Sequence, residues 1–170
     1  MAETNPFNEL IEAAIFRLNE NTSKIEKCLN NLEEKDIWDR PNECSNSIGN
    51  LILHICGNIT QYIISSLGRK EDKRNRDLEF SIREGFDKSL LIEKLNDTVN
   101  QAIQTLKALH EQDLMTVRSV QAYEYSGIAI VIHVVEHYSY HTGQIIFYTK
   151  MLKDVDLDFY AGVDLNRKNE

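Results

Sequence analysis

The sequence predicts an all-α fold, a bundle of four helices, on two main observations. Four separate segments carry apolar residues at intervals of three and four, the period of a helix with one buried face. A charged connection of roughly twenty residues separates the second segment from the third, so these two helices are expected to be parallel. The 170 residues, 42% hydrophobic and 27% charged, fit a single domain, residues 1–170, with its own core.

The first helix is predicted from about Asn5 to Asn31. Thr4 or Asn5 can cap its amino end, and Pro6 suits the first helical position, where the backbone N–H has no helical partner. The apolar repeat of this helix is typical of a bundle and carries no predicted chemistry. In the connection that follows, residues 33–45, the single tryptophan Trp38 is expected to anchor the chain by packing.

The second helix is predicted from about Asn46 to Leu67, with a serine or asparagine as its cap and Gly68 as its end. A polar seam flanks the apolar face of this helix and spans about 60° on a helical wheel. The seam consists of Ser47, Asn50, His54, Asn58 and Gln61. A solvated edge would explain it, but histidines on the flank of another helix make His54 a candidate metal ligand.

The third helix is predicted from about Asp87 to Glu111. The connection before it, residues 68–86, contains the run RKEDKRNR, which fits a solvated segment or one that steers an anionic substrate. His110 falls in the predicted last turn, where a histidine interacts favourably with the helix dipole. Residues 112–125 are expected to be a plain connection, and the tail beyond the fourth helix to be irregular.

The fourth helix is predicted from about Ser126 to Leu152 and contains His133, His137 and His141 at every fourth position. His137 and His141 lie about 6 Å apart on neighbouring turns and can share one ion, whereas His133 and His141 are about 12 Å apart and cannot. A helical wheel turns His133 most nearly toward solvent and places the other two beside the buried face. Two nitrogens do not complete a site, so His54 is the candidate third ligand.

Composition excludes several classes of protein. The formal net charge of −8 argues against general binding to nucleic acid or to an anionic membrane. No apolar run approaches the ~20 residues of a membrane helix, and residues 1–20 lack the pattern of a secretion signal. The cysteines Cys28, Cys44 and Cys56 are odd in number and form no C-x-x-C pair, which suits a reducing compartment. We therefore expect a cytoplasmic protein.

Three stretches carry a family resemblance: SIGNLILHICGNI around His54, RNRDLEFS in the long connection, and EHYSYHTGQI around His137 and His141. Together they resemble the DinB-like, YfiT-type superfamily of bacterial metal-binding four-helix bundles. The resemblance implies up-down-down-up topology, with one ligand on the second helix and two on the fourth, which correspond to His54, His137 and His141. It also implies thiol-dependent chemistry, since relatives include bacillithiol-, mycothiol- or glutathione-dependent transferases and a maleylpyruvate isomerase, and it makes a homodimer plausible.

Three imidazoles leave at least one coordination position open, as in catalytic rather than structural zinc sites. A water bound there ionises near neutral pH, and a bound thiol loses its proton. Imidazole suits nickel as well as zinc, so either divalent ion is expected, held through nitrogen at about 2.0 to 2.1 Å. Four further side chains are placed to support the ligands or to contact a substrate: Asn50, Asn58, Gln144 and Tyr148.

These features predict a metal-dependent enzyme that acts on a small molecule. The leading hypothesis is transfer of sulfur from a low-molecular-weight thiol to a small electrophile. A free thiol with a pKa near ~8.5 is only a few per cent ionised at neutral pH, so coordination alone can increase its thiolate about tenfold. Two alternatives stay open: a metal-dependent hydrolase, and a non-enzymatic metal-binding dimeric bundle in a stress or binding role.

Overall fold

The computed structural model describes residues 5–168, and helices dominate this part of the chain. The long helical segments are α1 (Pro6–Asn31), α3 (Ile48–Ile59), its π-helical continuation (Thr60–Leu67), α5 (Lys88–Lys107) and α7 (Gly127–Lys153). The short elements are α2 (Glu34–Trp38), α4 (Arg76–Ser81), α6 (Glu111–Met115), and the strands β1 (Val117–Val120) and β2 (Tyr123–Ser126). The predicted all-α class is therefore confirmed as a predominantly helical fold that also contains one small hairpin.

The longest helices begin at local capping signals. Asn5 accepts a hydrogen bond from the Phe7 N–H at 2.9 Å at the start of α1, whereas Thr4, the alternative cap, lies outside the described residues. Ser126 accepts one from the Ala129 N–H at 3.2 Å and caps α7. Because a cap and its helix are neighbours in the sequence, the predicted and observed starts of these two helices agree within one residue.

The third long helix, α5, ends earlier than predicted. Its last turn tightens at Ala108 and Leu109, whose N–H groups reach carbonyls three residues back, at Thr105 and Leu106. His110 lies beyond this end and precedes α6, where its backbone N–H donates to Asp113. The predicted position of His110 in the last turn of the helix was therefore wrong.

The segment predicted as a plain connection, residues 112–125, is also ordered. It contains most of α6 and an antiparallel hairpin in which Val117 pairs with Ser126 and Val120 with Tyr123. The turn of the hairpin places Gln121 at a φ of 54°, a left-handed conformation usually taken by glycine or asparagine. The hairpin packs against α7 and the π-helical segment.

The long helices bury one shared apolar cluster. Helix α1 packs against α5 and α7, and α3 packs against the same two helices. The cluster includes the fully buried Leu18, Ile25, Leu29, Ile52, Ile55, Leu91, Leu95 and Val134. Burying each such side chain stabilises the fold by roughly 1.5 to 3 kcal/mol before the cost of ordering it. Within the described residues, no helix is both long enough and apolar enough to cross a membrane.

The connection from Gly68 to Asp87 lies against α3 rather than in free solvent. It contains α4, whose amino end is capped by Asn75 through a hydrogen bond from the Leu78 N–H. Trp38, at the end of α2, donates from its indole nitrogen to the Phe86 carbonyl at 3.0 Å. Trp38 thus anchors the connection after α1 to the connection from Gly68 to Asp87. It also helps to hold the latter beside the polar seam of α3.

Candidate metal centre

Three histidine side chains converge where α3 packs against α7. Nε2 of His54 lies 3.0 Å from Nε2 of His137, and Nε2 of His141 lies 3.2 Å from the same atom. One ligand nitrogen from each ring falls within 4.8 Å of those of the other two. The structure thus brings together the three residues that the histidine spacing and the polar seam predict as ligands.

The spacing of these nitrogens fits a single divalent ion. Bonds of about 2.0 to 2.1 Å in tetrahedral geometry separate neighbouring ligand nitrogens by about 3.3 Å. Two of the three separations, 3.0 and 3.2 Å, are close to that value, and the three nitrogens together lie within 4.8 Å of one another. Among the described residues, no fourth histidine, cysteine or carboxylate joins the cluster. The cluster can therefore hold a metal ion with a coordination position to spare, although which ion it holds stays a prediction.

Hydrogen bonds from Nδ1 of His54 and from Nδ1 of His141 determine which ring nitrogen of each histidine carries the lone pair. Nδ1 of His54 lies 2.8 Å from a carboxylate oxygen of Glu79, and Nδ1 of His141 lies 2.7 Å from the amide oxygen of Gln144. Both oxygens are acceptors, so each Nδ1 carries the proton and donates it. In the neutral rings this leaves the lone pair on Nε2, the atom that faces the centre of the cluster.

Glu79 is a buried carboxylate held by an arginine. Arg74 donates to both of its oxygens, from Nε at 2.7 Å and from Nη2 at 2.9 Å, a bidentate arrangement. Burial alone would raise the pKa of Glu79, but hydrogen bonds from Arg74 and His54 and their charges outweigh burial and hold it below its usual value. Glu79 therefore stays ionised at neutral pH and accepts the hydrogen bond from Nδ1–H of His54.

The imidazoles of α7 are kept neutral. Burial, followed by the proximity of the other histidines, lowers the pKa of His137 to about 3. Burial also lowers the pKa of His141, against the opposing effect of its hydrogen bond with Gln144. A metal ligand must be deprotonated, so both rings are ready to coordinate an ion throughout the neutral range.

His133 does not turn toward solvent, and that prediction was wrong. Its ring is half-buried and stacks on Tyr62 with the centroids 4.3 Å apart, while Asn58 contacts its Nε2 at 3.2 Å. The wheel was misdirected because apolar residues occur around most of α7; Ile132, for example, is 53% exposed. His133 nevertheless lies outside the cluster that could hold the ion.

The four side chains expected to support the site have different positions. Gln144 contacts His141 directly, and Asn58 contacts His133. Asn50 instead donates to the carbonyls of Glu79 and Ile82, so it fixes the long connection. Tyr148 donates from its hydroxyl to Asp39 at 3.1 Å, away from the histidine nitrogens.

The polar seam of α3 is buried rather than solvated. Besides Asn50 and His54, it includes Gln61, which accepts from Arg74 at 2.9 Å and donates to Asp72 at 2.7 Å. Three residues of the seam, Asn50, His54 and Gln61, thus hold the long connection in place. Its five members are Ser47, Asn50, His54, Asn58 and Gln61.

Sequence reasoning missed Glu79 and Arg74. Both lie in the charged connection, within the stretch RNRDLEFS that carries part of the family resemblance, but the lack of helical periodicity there indicated no role for either side chain. One local signal was present in α3: Gly57, three residues after His54, leaves room for the Glu79 carboxylate. A Cβ at this position would lie only 1.8 Å from Glu79 Oε1.

Comparisons with known proteins establish the fold. A conserved protein from Enterococcus faecalis superposes with a TM-score of 0.72 at 14% identity, covering 85% of this chain and 97% of that one. A DinB-like protein from Bacillus cereus gives a TM-score of 0.66 at 16% identity, covering 83% and 91%. The DinB-like protein YjoA from Bacillus subtilis gives 0.64 at 16% identity, covering 82% and 91%. The resemblance to DinB-like proteins is thus confirmed at the level of the fold.

A family model described as a protein of unknown function, DUF1572, matches residues 5–161. The matched range includes the three clustered histidines as well as Arg74 and Glu79. No curated protein matches the chain.

Proposed function

We propose that this chain, which belongs to the DUF1572 family of proteins of unknown function, is a metal-dependent enzyme acting on small molecules. His54, His137 and His141 would hold one divalent ion, zinc or nickel. The observation that carries the proposal is the convergence of their three ring nitrogens within 4.8 Å. Two of the rings are oriented from behind by Glu79 and Gln144, as is usual for metal-binding histidines.

The proposal includes an up-down-down-up four-helix bundle, in which the ligand-bearing helices α3 and α7 are antiparallel neighbours. Support comes from contacts that advance along the helices. Contacts between α1 and α7 advance in the same direction along both helices: Thr22 with Tyr138, then Cys28 with Thr149. Contacts between α5 and α3 with its π-helical continuation do the same: Cys56 with Thr98, then Gly68 with Thr105. Contacts between α1 and α5 advance in opposite directions: Glu26 with Asn96, then Leu32 with Lys88. Contacts between α3 and α7 also advance in opposite directions: His54 with His137, then Asn58 with His133.

An enzyme is favoured over a structural metal site because the ligand set is incomplete. Structural zinc sites usually have four protein ligands, whereas catalytic sites have three and leave one position open. The rings of His137 and His141 are half-buried rather than sealed within the core. The cluster is therefore not sealed from solvent on the side of α7.

The reaction that we propose is S-transfer, in which a low-molecular-weight thiol with its own carbon–sulfur bond intact is joined through sulfur to a small electrophile. A divalent ion supplies a Lewis-acid centre that lowers the pKa of a coordinating thiol. The sulfur forms a bond to a carbon of the electrophile, the thiol proton passes to solvent, and the leaving group departs with its electron pair. Glu79 and Gln144 hold two of the imidazoles in place throughout, so the site does not reorganise between steps.

The attacking sulfur is expected to come from outside the chain. Burial raises the pKa of Cys56 to about 11 and also raises the pKa of Cys28, so both stay protonated at neutral pH. Cys44 is exposed but does not join the histidine cluster. All three cysteines are free thiols, which supports the reducing cytoplasm as the setting. The proposal includes a homodimer.

The test is a turnover assay of the zinc- or nickel-loaded protein. A panel of thiols is combined with small electrophiles such as an activated aryl halide and an epoxide. We expect turnover that needs both thiol and metal, disappears on chelation, returns when metal is restored, and is lost in His141→Ala. His110→Ala, an exposed histidine away from the cluster, should keep full activity.

Two outcomes would replace the proposed reaction. Metal-dependent hydrolysis of esters or amides without any thiol requirement would make the protein a hydrolase. Absence of both activities in metal-loaded protein would favour the non-enzymatic binding role.

A further inference from the structure

Aromatic rings flank the metal centre on both sides. The Phe80 ring lies 4.6 Å from the ring of His54, and the Tyr140 ring lies 4.9 Å from the ring of His141, measured between centroids. The rings of His54 and His141 are themselves 5.0 Å apart. Tyr140 is 63% exposed, and Phe80 is half-buried. Phe80 and Tyr140 therefore each pack on a histidine of the cluster.

Arg76 lies on the Phe80 ring, with its guanidinium carbon 4.8 Å from the ring centroid. The side chain is exposed, and within residues 5–168 its guanidinium makes no hydrogen bond and no ion pair. Its neighbours in the same connection differ: Arg74 is bound to Glu79, and Arg83 donates to the carbonyls of Phe80 and Ile82. Stacking therefore positions Arg76 while its N–H donors stay available.

The net charge of the chain is opposite in sign to the charge of this arginine. With 27 acidic and 19 basic residues, the chain has a net charge of −8, and its field repels anionic molecules in general. Nevertheless, no carboxylate among the described residues pairs with Arg76. A planar guanidinium with free donors binds a carboxylate through two parallel hydrogen bonds, and the stacked ring limits the entropy lost on binding.

We propose that Arg76, positioned by Phe80, is the anion-recognition residue of the metal centre and that the thiol substrate carries a carboxylate. The Arg76–Phe80 and Phe80–His54 distances, added together, set the upper limit of the distance from the Arg76 guanidinium to the His54 ring. Phe80 thus links Arg76 to His54, and the proposal requires a thiol whose carboxylate lies a few bonds from its sulfur. The inference rests on the proposed function, because it names the class of thiol that the same site receives.

The test compares two thiols of similar size on cobalt(II)-loaded protein, with binding followed through the sulfur-to-cobalt absorption band. The thiols are 3-mercaptopropionate, which carries a carboxylate, and 2-mercaptoethanol, which is neutral. We expect the wild-type protein to bind 3-mercaptopropionate about three to five times more tightly at low ionic strength. This preference should disappear in Arg76→Ala and persist in part in Arg76→Lys.

Lys70→Ala is the matched control, since it removes one exposed positive charge from the same connection and should leave the preference intact. If the wild type shows no preference, or if Arg76→Ala retains it, the inference is overturned. A loss of equal size in Lys70→Ala also overturns it, because a diffuse field rather than Arg76 would then be responsible.

Failure of the proposed function gives a different result, namely that neither thiol produces the absorption band. Succinate and succinamide then decide the inference by calorimetric titration of the same proteins. Tighter binding of succinate that is lost in Arg76→Ala supports anion recognition by this residue. Equal binding of the two compounds, or an unchanged difference in the variant, overturns it.

Discussion

Glu79 reaches His54 from the connection between α3 and α5, and its carboxylate accepts the hydrogen bond from Nδ1 of the imidazole. The pair is buried, and Arg74 holds the carboxylate from the other side. This arrangement fixes which nitrogen of His54 faces the metal position and increases its basicity. A ligand supported in this way binds a metal more tightly than an unsupported one.

At the scale of single residues, we predict that Glu79→Gln weakens zinc binding about tenfold to a hundredfold. The amide lacks the negative charge that fixes the proton on Nδ1 of His54, and it leaves the buried Arg74 guanidinium without its partner. Competition with a chromophoric chelator measures the affinity. Glu84→Gln, at an exposed position in the same connection, is the control. An unchanged affinity in Glu79→Gln would contradict this role.

The predictability of these residues depends on how local their contacts are. His137 and His141 share one helix, so their spacing alone places them together. His54 could be predicted from the sequence because it lies in a polar seam beside an apolar face. Glu79 contacts His54 across 25 positions of the chain, and only the docking of a non-periodic segment creates that contact.

At the scale of elements, the fit between α3 and the long connection depends on Gly57. A Cβ there would lie 1.8 Å from Glu79 Oε1 and 3.0 Å from Arg74 Nε, so the connection must shift in Gly57→Ala. Alanine favours a helix by about 1 kcal/mol over glycine, so α3 itself should remain intact. We expect unchanged helical circular dichroism but about tenfold weaker zinc binding, because Glu79 is displaced.

Gly143→Ala is the matched control within α7. This glycine lies two residues from His141, yet a Cβ there would meet nothing within 4 Å. The substitution should leave zinc affinity unchanged and stabilise the protein by up to about 1 kcal/mol. Equal zinc affinities in Gly57→Ala and Gly143→Ala would show that the close approach at Gly57 does not matter to the site.

Elements that begin at local signals were predictable, and others were not. The starts of α1 and α7 follow from Asn5 and Ser126, which cap the next turn. The hairpin turn uses Gln121 at positive φ instead of glycine or asparagine, so no turn signal marked it. The π-helical segment Thr60–Leu67 continues α3 with altered periodicity, which an apolar pattern does not distinguish from an α-helix.

At the scale of the whole molecule, packing decides which face of an apolar helix is buried. Helix α7 has exposed apolar residues, among them Ile132, Phe147 and Met151, as well as the stripe that packs on α1 and α3. Counting exposed residues such as Ile132 as part of the buried face pointed the helical wheel in the wrong direction and turned His133 outward. The predicted proximity of His137 and His141 was unaffected by this error, because their spacing is independent of how the helix is rotated.

The measurement that tests the central claim most directly is the zinc content of three proteins after loading and exhaustive dialysis. We predict one ion per chain in the wild type, one in His133→Ala, and none in His137→Ala. His137 lies between the other two ligand nitrogens, whereas His133 stacks on Tyr62 outside the cluster. Equal zinc loss in His133→Ala and His137→Ala, or full zinc content in His137→Ala, would contradict a metal centre built from His54, His137 and His141.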